Sequence, residues 1–173
     1  MTPTLTLAVI GHVNHGKSAL VRALTGTQTD RLKEEVERGL SITLGFASRT
    51  YTSGVVDLID APGHEDFIRA MVSGATGVRA VLLVVSATEG FGRQTYEHLR
   101  IAELLGVRAG IVVIAKTDLL DPGDAAAVLD ATRASLNGTF LSGEPIILCS
   151  AITGAGLSEL DAALAALAAR APA

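Results

Sequence analysis

Along the chain, unbroken apolar runs alternate with stretches in which apolar residues recur every three or four positions. Residues 5–10, 81–85, 111–115 and 146–150 are apolar at nearly every position. A strand covered on both faces needs that pattern, whereas a strand with one wet face alternates. Helical spacing marks residues 17–24, where Leu20, Val21 and Leu24 share a face before Gly26 ends the element, and also residues 94–105 and 125–136. A last helix carries the stripe Leu157, Leu160, Leu164 and Leu167. Residues 42–51 and 55–60, joined by Thr52, Ser53 and Gly54, predict a hairpin. Residues 27–39 are polar and without period, which predicts a mobile segment. Strands and helices in this alternation predict an α/β fold of three layers. Its sheet is mostly parallel and six-stranded, with one antiparallel edge hairpin and helices on both faces.

Composition narrows the class. At 173 residues the chain suits one well-filled domain, and 49% hydrophobic residues predict a globular one. No apolar run reaches the ~20 residues that span a bilayer, and residues 80–87 read as a buried strand. No basic-then-apolar leader opens the sequence, so the expected setting is the cytoplasm, with no membrane contact. The single cysteine, Cys149, cannot close an internal disulfide and reads as a buried structural thiol. A net charge of −4 argues against broad affinity for nucleic acid. Lysine is scarce, and two of the three, Lys17 and Lys116, fall inside motifs.

Four segments at the ends of the predicted strands carry the chemistry. Gly11, His12, Val13, Asn14, His15, Gly16, Lys17 and Ser18 follow the first strand and open the first helix. The glycines let backbone N–H groups curl around phosphate oxygens, Lys17 supplies charge at the outer phosphates, and Ser18 offers a hydroxyl to Mg²⁺. The side chains of His12 and His15 read as structural parts of that loop. Asp60 ends an apolar strand, where an aspartate holds Mg²⁺ directly or through water. Pro62 stiffens the turn after it, and Gly63 can offer its N–H to the γ-phosphate. His64 then stands where an attacking water would lie, and an imidazole there can orient that water or move its proton. Asp118 can accept from both the N1–H and the N2 amine of guanine, a donor pair that adenine lacks. Lys116 packs its stem against the base or the loop, and Ser150 and Ala151 place a backbone N–H near O6. These residues predict a P-loop nucleotide fold that binds GTP and GDP and hydrolyses GTP.

The run Glu37, Arg38, Gly39, Leu40, Ser41, Ile42, Thr43, Leu44, Gly45, Phe46 resembles the first switch of translational GTPases. Gly11 to Lys17 and Asp60 to His64 point to the same superfamily, that of elongation factor Tu. Within it, the chain is most similar to selenocysteine-specific elongation factors. The similarity continues through His64 to Arg69, Gly74 to Gly77, Gln94 to Leu99, Leu104 to Val107 and Ala151 to Leu157. The resemblance implies a factor that carries selenocysteyl-tRNA to the ribosome and reads an mRNA hairpin through further domains. The chain itself then corresponds to one nucleotide domain, expected to be monomeric. It also implies Ser41 as the switch hydroxyl on Mg²⁺, Val13 and Leu40 as apolar flanks of His64, and slow hydrolysis until the ribosome acts.

Three positions depart from the superfamily pattern. Ala115 stands where asparagine usually ties the base loop to the phosphate loop, which should weaken binding while Asp118 keeps the guanine preference. Ser41 replaces threonine. Asn14 replaces an aspartate and either helps bind K⁺ near the phosphates, as in potassium-activated GTPases, or is a neutral loop residue. Alternatives at this stage are the G domain of an elongation factor Tu-like or initiator-tRNA carrier, and a guanine-nucleotide sensor with negligible turnover. An ATP-dependent P-loop kinase is disfavoured by Asp118.

Overall fold

A computed structural model describes residues 4–29, 45–60, 68, 71 and 77–170. The elements are β1 (Thr4–Ile10), α1 (Lys17–Thr25), β2 (Gly45–Tyr51), β3 (Gly54–Asp60), β4 (Ala80–Ser86), α2 (Arg93–Leu104), β5 (Ala109–Ala115), a 3₁₀ turn (Thr117–Leu119), α3 (Ala125–Leu136), β6 (Ile146–Leu148) and α4 (Leu157–Arg170). The six strands form one sheet in the order β2-β3-β1-β4-β5-β6. Every neighbouring pair is parallel except β2 and β3, an antiparallel hairpin at the edge. The predicted architecture is therefore the observed one.

Period-two alternation splits each central strand between two cores. Leu5, Leu7 and Val9 of β1 join Leu82 and Val84 of β4 under α1 and α4, where Leu20, Val21, Leu24, Leu160, Leu164 and Leu167 pack. Ala8 and Ile10 join Val81, Leu83 and Val85 on the other face, against Leu99 and Ala102 of α2 and Leu136 of α3. Both faces of β4 are buried along its whole length, which explains its unbroken apolar sequence. Gly110 on β5 lets a neighbour come close: a Cβ there would stand 2.5 Å from the Val81 carbonyl oxygen and 2.8 Å from the Leu141 side chain.

The end of β6 differs from the reading of the sequence. The strand predicted over 146–150 stops at Leu148. Cys149 N–H still donates to Ile114 O, but Ser150 N–H donates across a turn to Ala155 O at 2.9 Å, so the chain leaves the sheet. The first arm of the hairpin is described from Gly45, and residues 42–44 of the predicted strand lie outside the described residues. The segment predicted to be mobile lies outside them too, apart from 27–29. Cys149 is buried, and burial pushes its thiol up to about 11, as expected of a structural cysteine.

Candidate guanine-nucleotide site

The phosphate loop leaves β1 at Gly11 with φ +146°. A Cβ at that position would stand 2.1 Å from the Val84 carbonyl oxygen on β4, so glycine is required by both space and torsion. Asn14, at φ +63°, takes a left-handed conformation that asparagine tolerates better than most residues. Gly16, at φ +92°, hands the chain to the N-terminus of α1, whose free N–H groups and dipole favour an anion. Lys17 Nζ donates to the carbonyls of His12 at 2.9 Å and Gly11 at 3.3 Å. Burial holds its ammonium below the ordinary lysine range, with Asp60 opposing that shift. A phosphate beside it would supply the full negative charge that two carbonyls replace only in part.

Ser18 Oγ, in the first turn of α1, donates to Asp60 Oδ2 at 2.5 Å. Asp60 ends β3 and is 1% exposed. Two oxygens in adjacent positions around an octahedral Mg²⁺ stand about 2.9 Å apart. A shift of a few tenths of an ångström would therefore open this pair for the ion, and an oxygen-only donor set suits Mg²⁺. Thr29, which the sequence did not flag, is buried and donates its hydroxyl to the same Asp60 Oδ2 at 3.2 Å. It is held there by packing on Gly45, where a Cβ would stand 2.4 Å from Thr29 Cβ. Gly45 is itself the strand partner of Asp60.

Thr29 thus fixes the direction of the carboxylate that Mg²⁺ would use. Thr29→Val should weaken Mg²⁺ binding about tenfold, the usual scale for removing a partner of a metal ligand. Thr29→Ser should restore it. Mn²⁺ binding followed by electron paramagnetic resonance reads both variants, and equal binding by wild type and valine would show that Thr29 only packs.

On the base side, β5 delivers Ala115 and Lys116. Ala115 is buried, and Lys116 is held at φ +61°. For a non-glycine residue this is a costly torsion of the kind that clusters at functional sites. Lys116 Nζ donates to the carbonyl of Asn14, so a bond joins the base loop to the phosphate loop although Ala115 cannot make one. Asp118, exposed on the 3₁₀ turn, accepts from Ser150 Oγ at 2.6 Å. Ser150 Oγ in turn accepts from the N–H groups of Ile152 and Thr153, at 3.2 and 3.1 Å. Ser150 was expected to serve through its backbone. Its own N–H is committed to Ala155 O, so its hydroxyl is the part that reaches Asp118.

The structure thus brings Gly11 to Ser18, Asp60, Lys116, Asp118, Ser150 and Ala151 to the carboxyl ends of neighbouring strands. Ser41, Gly63 and His64 lie outside the described residues. The His15 imidazole is buried beneath the loop. Desolvation lowers its pKa, reinforced by His12 and Lys17 and opposed by Glu89 and the Val84 backbone. Its share in phosphate binding would therefore be its backbone alone.

The model for the elongation factor Tu GTP binding domain matches residues 2–170. The chain belongs to that family. Among relatives of this GTP-binding domain, a selenocysteine-specific elongation factor of Desulfomicrobium baculatum is 49% identical over 162 residues, covering 93% of this chain and 26% of the relative. The gamma subunit of translation initiation factor 2 from Thermoplasma acidophilum is 35% identical over 184 residues, covering 94% of this chain and 45% of the relative. A crystal structure of a bacterial selenocysteine-specific elongation factor superposes with a TM-score of 0.87 at 38% identity, over 96% of this chain and 29% of that one. The chain spans about a quarter of the selenocysteine-specific relatives it matches. Membership in this family of translational GTPases implies binding and hydrolysis of GTP. No helix among the described residues is long and apolar enough to cross a membrane.

Proposed function

We propose that this chain is the G domain of a translation factor that delivers selenocysteyl-tRNA, and that it hydrolyses GTP slowly until the ribosome stimulates it. The observation that carries the nucleotide reading is the convergence of Ser18 and Asp60 on one side and Asp118 with Ser150 on the other, at the ends of adjacent strands. The similarity to selenocysteine-specific factors over nearly the whole chain supports the tRNA class, and an mRNA hairpin would be read by parts of a longer protein. Gly11 to Ser18 hold the phosphates, Ser18, Asp60 and Ser41 hold Mg²⁺, and Gly63 meets the γ-phosphate. Asp118 accepts from guanine N1–H and N2, with Lys116 along the base and the Ala151 N–H toward O6. His64 orients the attacking water. Residues 1–173 act as one domain and a monomer in the cytoplasm.

The test is calorimetric titration with GTP, GDP and ATP in Mg²⁺. Micromolar guanine-nucleotide binding without an ATP signal is expected, and absence of guanine binding would overturn the reading. Delivery specificity is tested with a full-length protein that bears this domain, by comparing selenocysteyl-tRNA with initiator and ordinary elongator tRNAs.

The proposal includes K⁺ at Asn14. Hydrolysis in K⁺ should exceed that in Na⁺ at equal ionic strength, and equal rates would leave Asn14 only its left-handed place in the loop.

A further inference from the structure

His12, His15 and Glu89 each bring one metal-ligating atom into a cluster whose members all lie within 4.8 Å of one another. The histidines come from the phosphate loop and Glu89 from the turn that follows β4. The nucleotide reading above uses none of these three side chains. We propose that they form a site for a borderline transition-metal dication, Zn²⁺ by preference, which pins the phosphate loop to the turn after β4.

The geometry favours an ion over a direct contact. His15 Nε2 and Glu89 Oε2 are 3.5 Å apart. That exceeds the 2.7–3.2 Å of a good N–H···O bond. It matches the roughly 3.4 Å between two donors on a tetrahedral ion with bonds of about 2.0–2.1 Å. His12 Nδ1 is 3.0 Å from the Val13 carbonyl oxygen. A carbonyl can only accept, so Nδ1 carries the hydrogen and Nε2 carries the lone pair. Imidazoles that bind metals are commonly held in one tautomer by such a backbone carbonyl.

Each ligand is also held in place. The His12 ring lies against Gly92, where a Cβ would stand 2.8 Å from His12 Cδ2. Its centroid is 5.1 Å from that of His15, which is 1% exposed. The other oxygen of Glu89, Oε1, is 4.0 Å from Lys116 Nζ, so the carboxylate turns Oε2 toward His15. Two imidazoles with one carboxylate suit Zn²⁺ or Co²⁺, with water as fourth ligand, and do not suit Mg²⁺ or Ca²⁺.

The experiment titrates the nucleotide-free chain with Co²⁺ in excess Mg²⁺ and follows visible absorption, which is strong for tetrahedral and weak for octahedral cobalt. One equivalent of tetrahedral cobalt, displaced by Zn²⁺, is expected. Glu89→Gln, a change at an exposed position, should weaken binding at least about tenfold. Asp60→Asn should leave it unchanged. Absence of the tetrahedral signal, a signal indifferent to Glu89→Gln, or one lost in Asp60→Asn would overturn the site. The last result would place the ion with Ser18 and Asp60 instead.

Discussion

Replacing Asp118 by alanine is expected to cut GTP and GDP affinity by about 10²- to 10⁴-fold while leaving ATP binding as weak as before. The magnitude follows from two hydrogen bonds to a charged acceptor, each worth about 1.5–3 kcal/mol. The structure adds a second reason. Ser150 Oγ donates to Asp118 Oδ1 at 2.6 Å and accepts from two N–H groups of its own turn. Removing the carboxylate strands that hydroxyl and loosens the turn that presents Ala151. Ser150→Ala should therefore reproduce part of the loss without touching the base. Calorimetry on both variants, with the unfolding midpoint as a control, separates the two contributions. Retention of wild-type GDP affinity by Asp118→Ala would remove Asp118 as the guanine selector.

Replacing His64 by alanine should do the opposite: nucleotide affinity stays, and the hydrolytic step falls by about 10²- to 10⁴-fold, the usual contribution of a positioned acid–base or water-orienting group. Single-turnover hydrolysis with ribosomes present measures that step directly. An unchanged rate would mean that the water is oriented by another group and that His64 is a surface residue. Read together, the two substitutions divide the site into a part that selects the base and a part that acts on the phosphate.

Most of the fold was legible because burial dictates composition. β4 and β5 are covered on both faces, so their sequences are apolar throughout. The bounds of α3 are those its spacing predicts. The end of β6 was not legible, because Cys149 and Ser150 continue an apolar-looking run while hydrogen bonding to Ala155 turns the chain away. The candidate site was legible where one short segment carries the whole signal, as at Gly11 to Ser18. Contacts between distant segments were not. Nothing near Thr29 announces that its hydroxyl meets Asp60, 31 residues on. Nothing in the base motif says that Lys116 reaches Asn14, although this contact changes the meaning of Ala115. The tie between the two loops is made by a side chain one position later than expected.

Thr29 and Gly45 touch, and both meet Asp60. The two described residues that flank positions 30–44 therefore meet at one point beside that carboxylate. Closing a loop costs free energy only logarithmically in its length, about 0.6 kcal/mol for each doubling. Because Thr29 and Gly45 already stand side by side, the closure cost changes little with the number of residues that join them. The place of the Asp60 carboxylate is thus set by Thr29 and by the pairing with Gly45 rather than by the length of chain that joins those two residues.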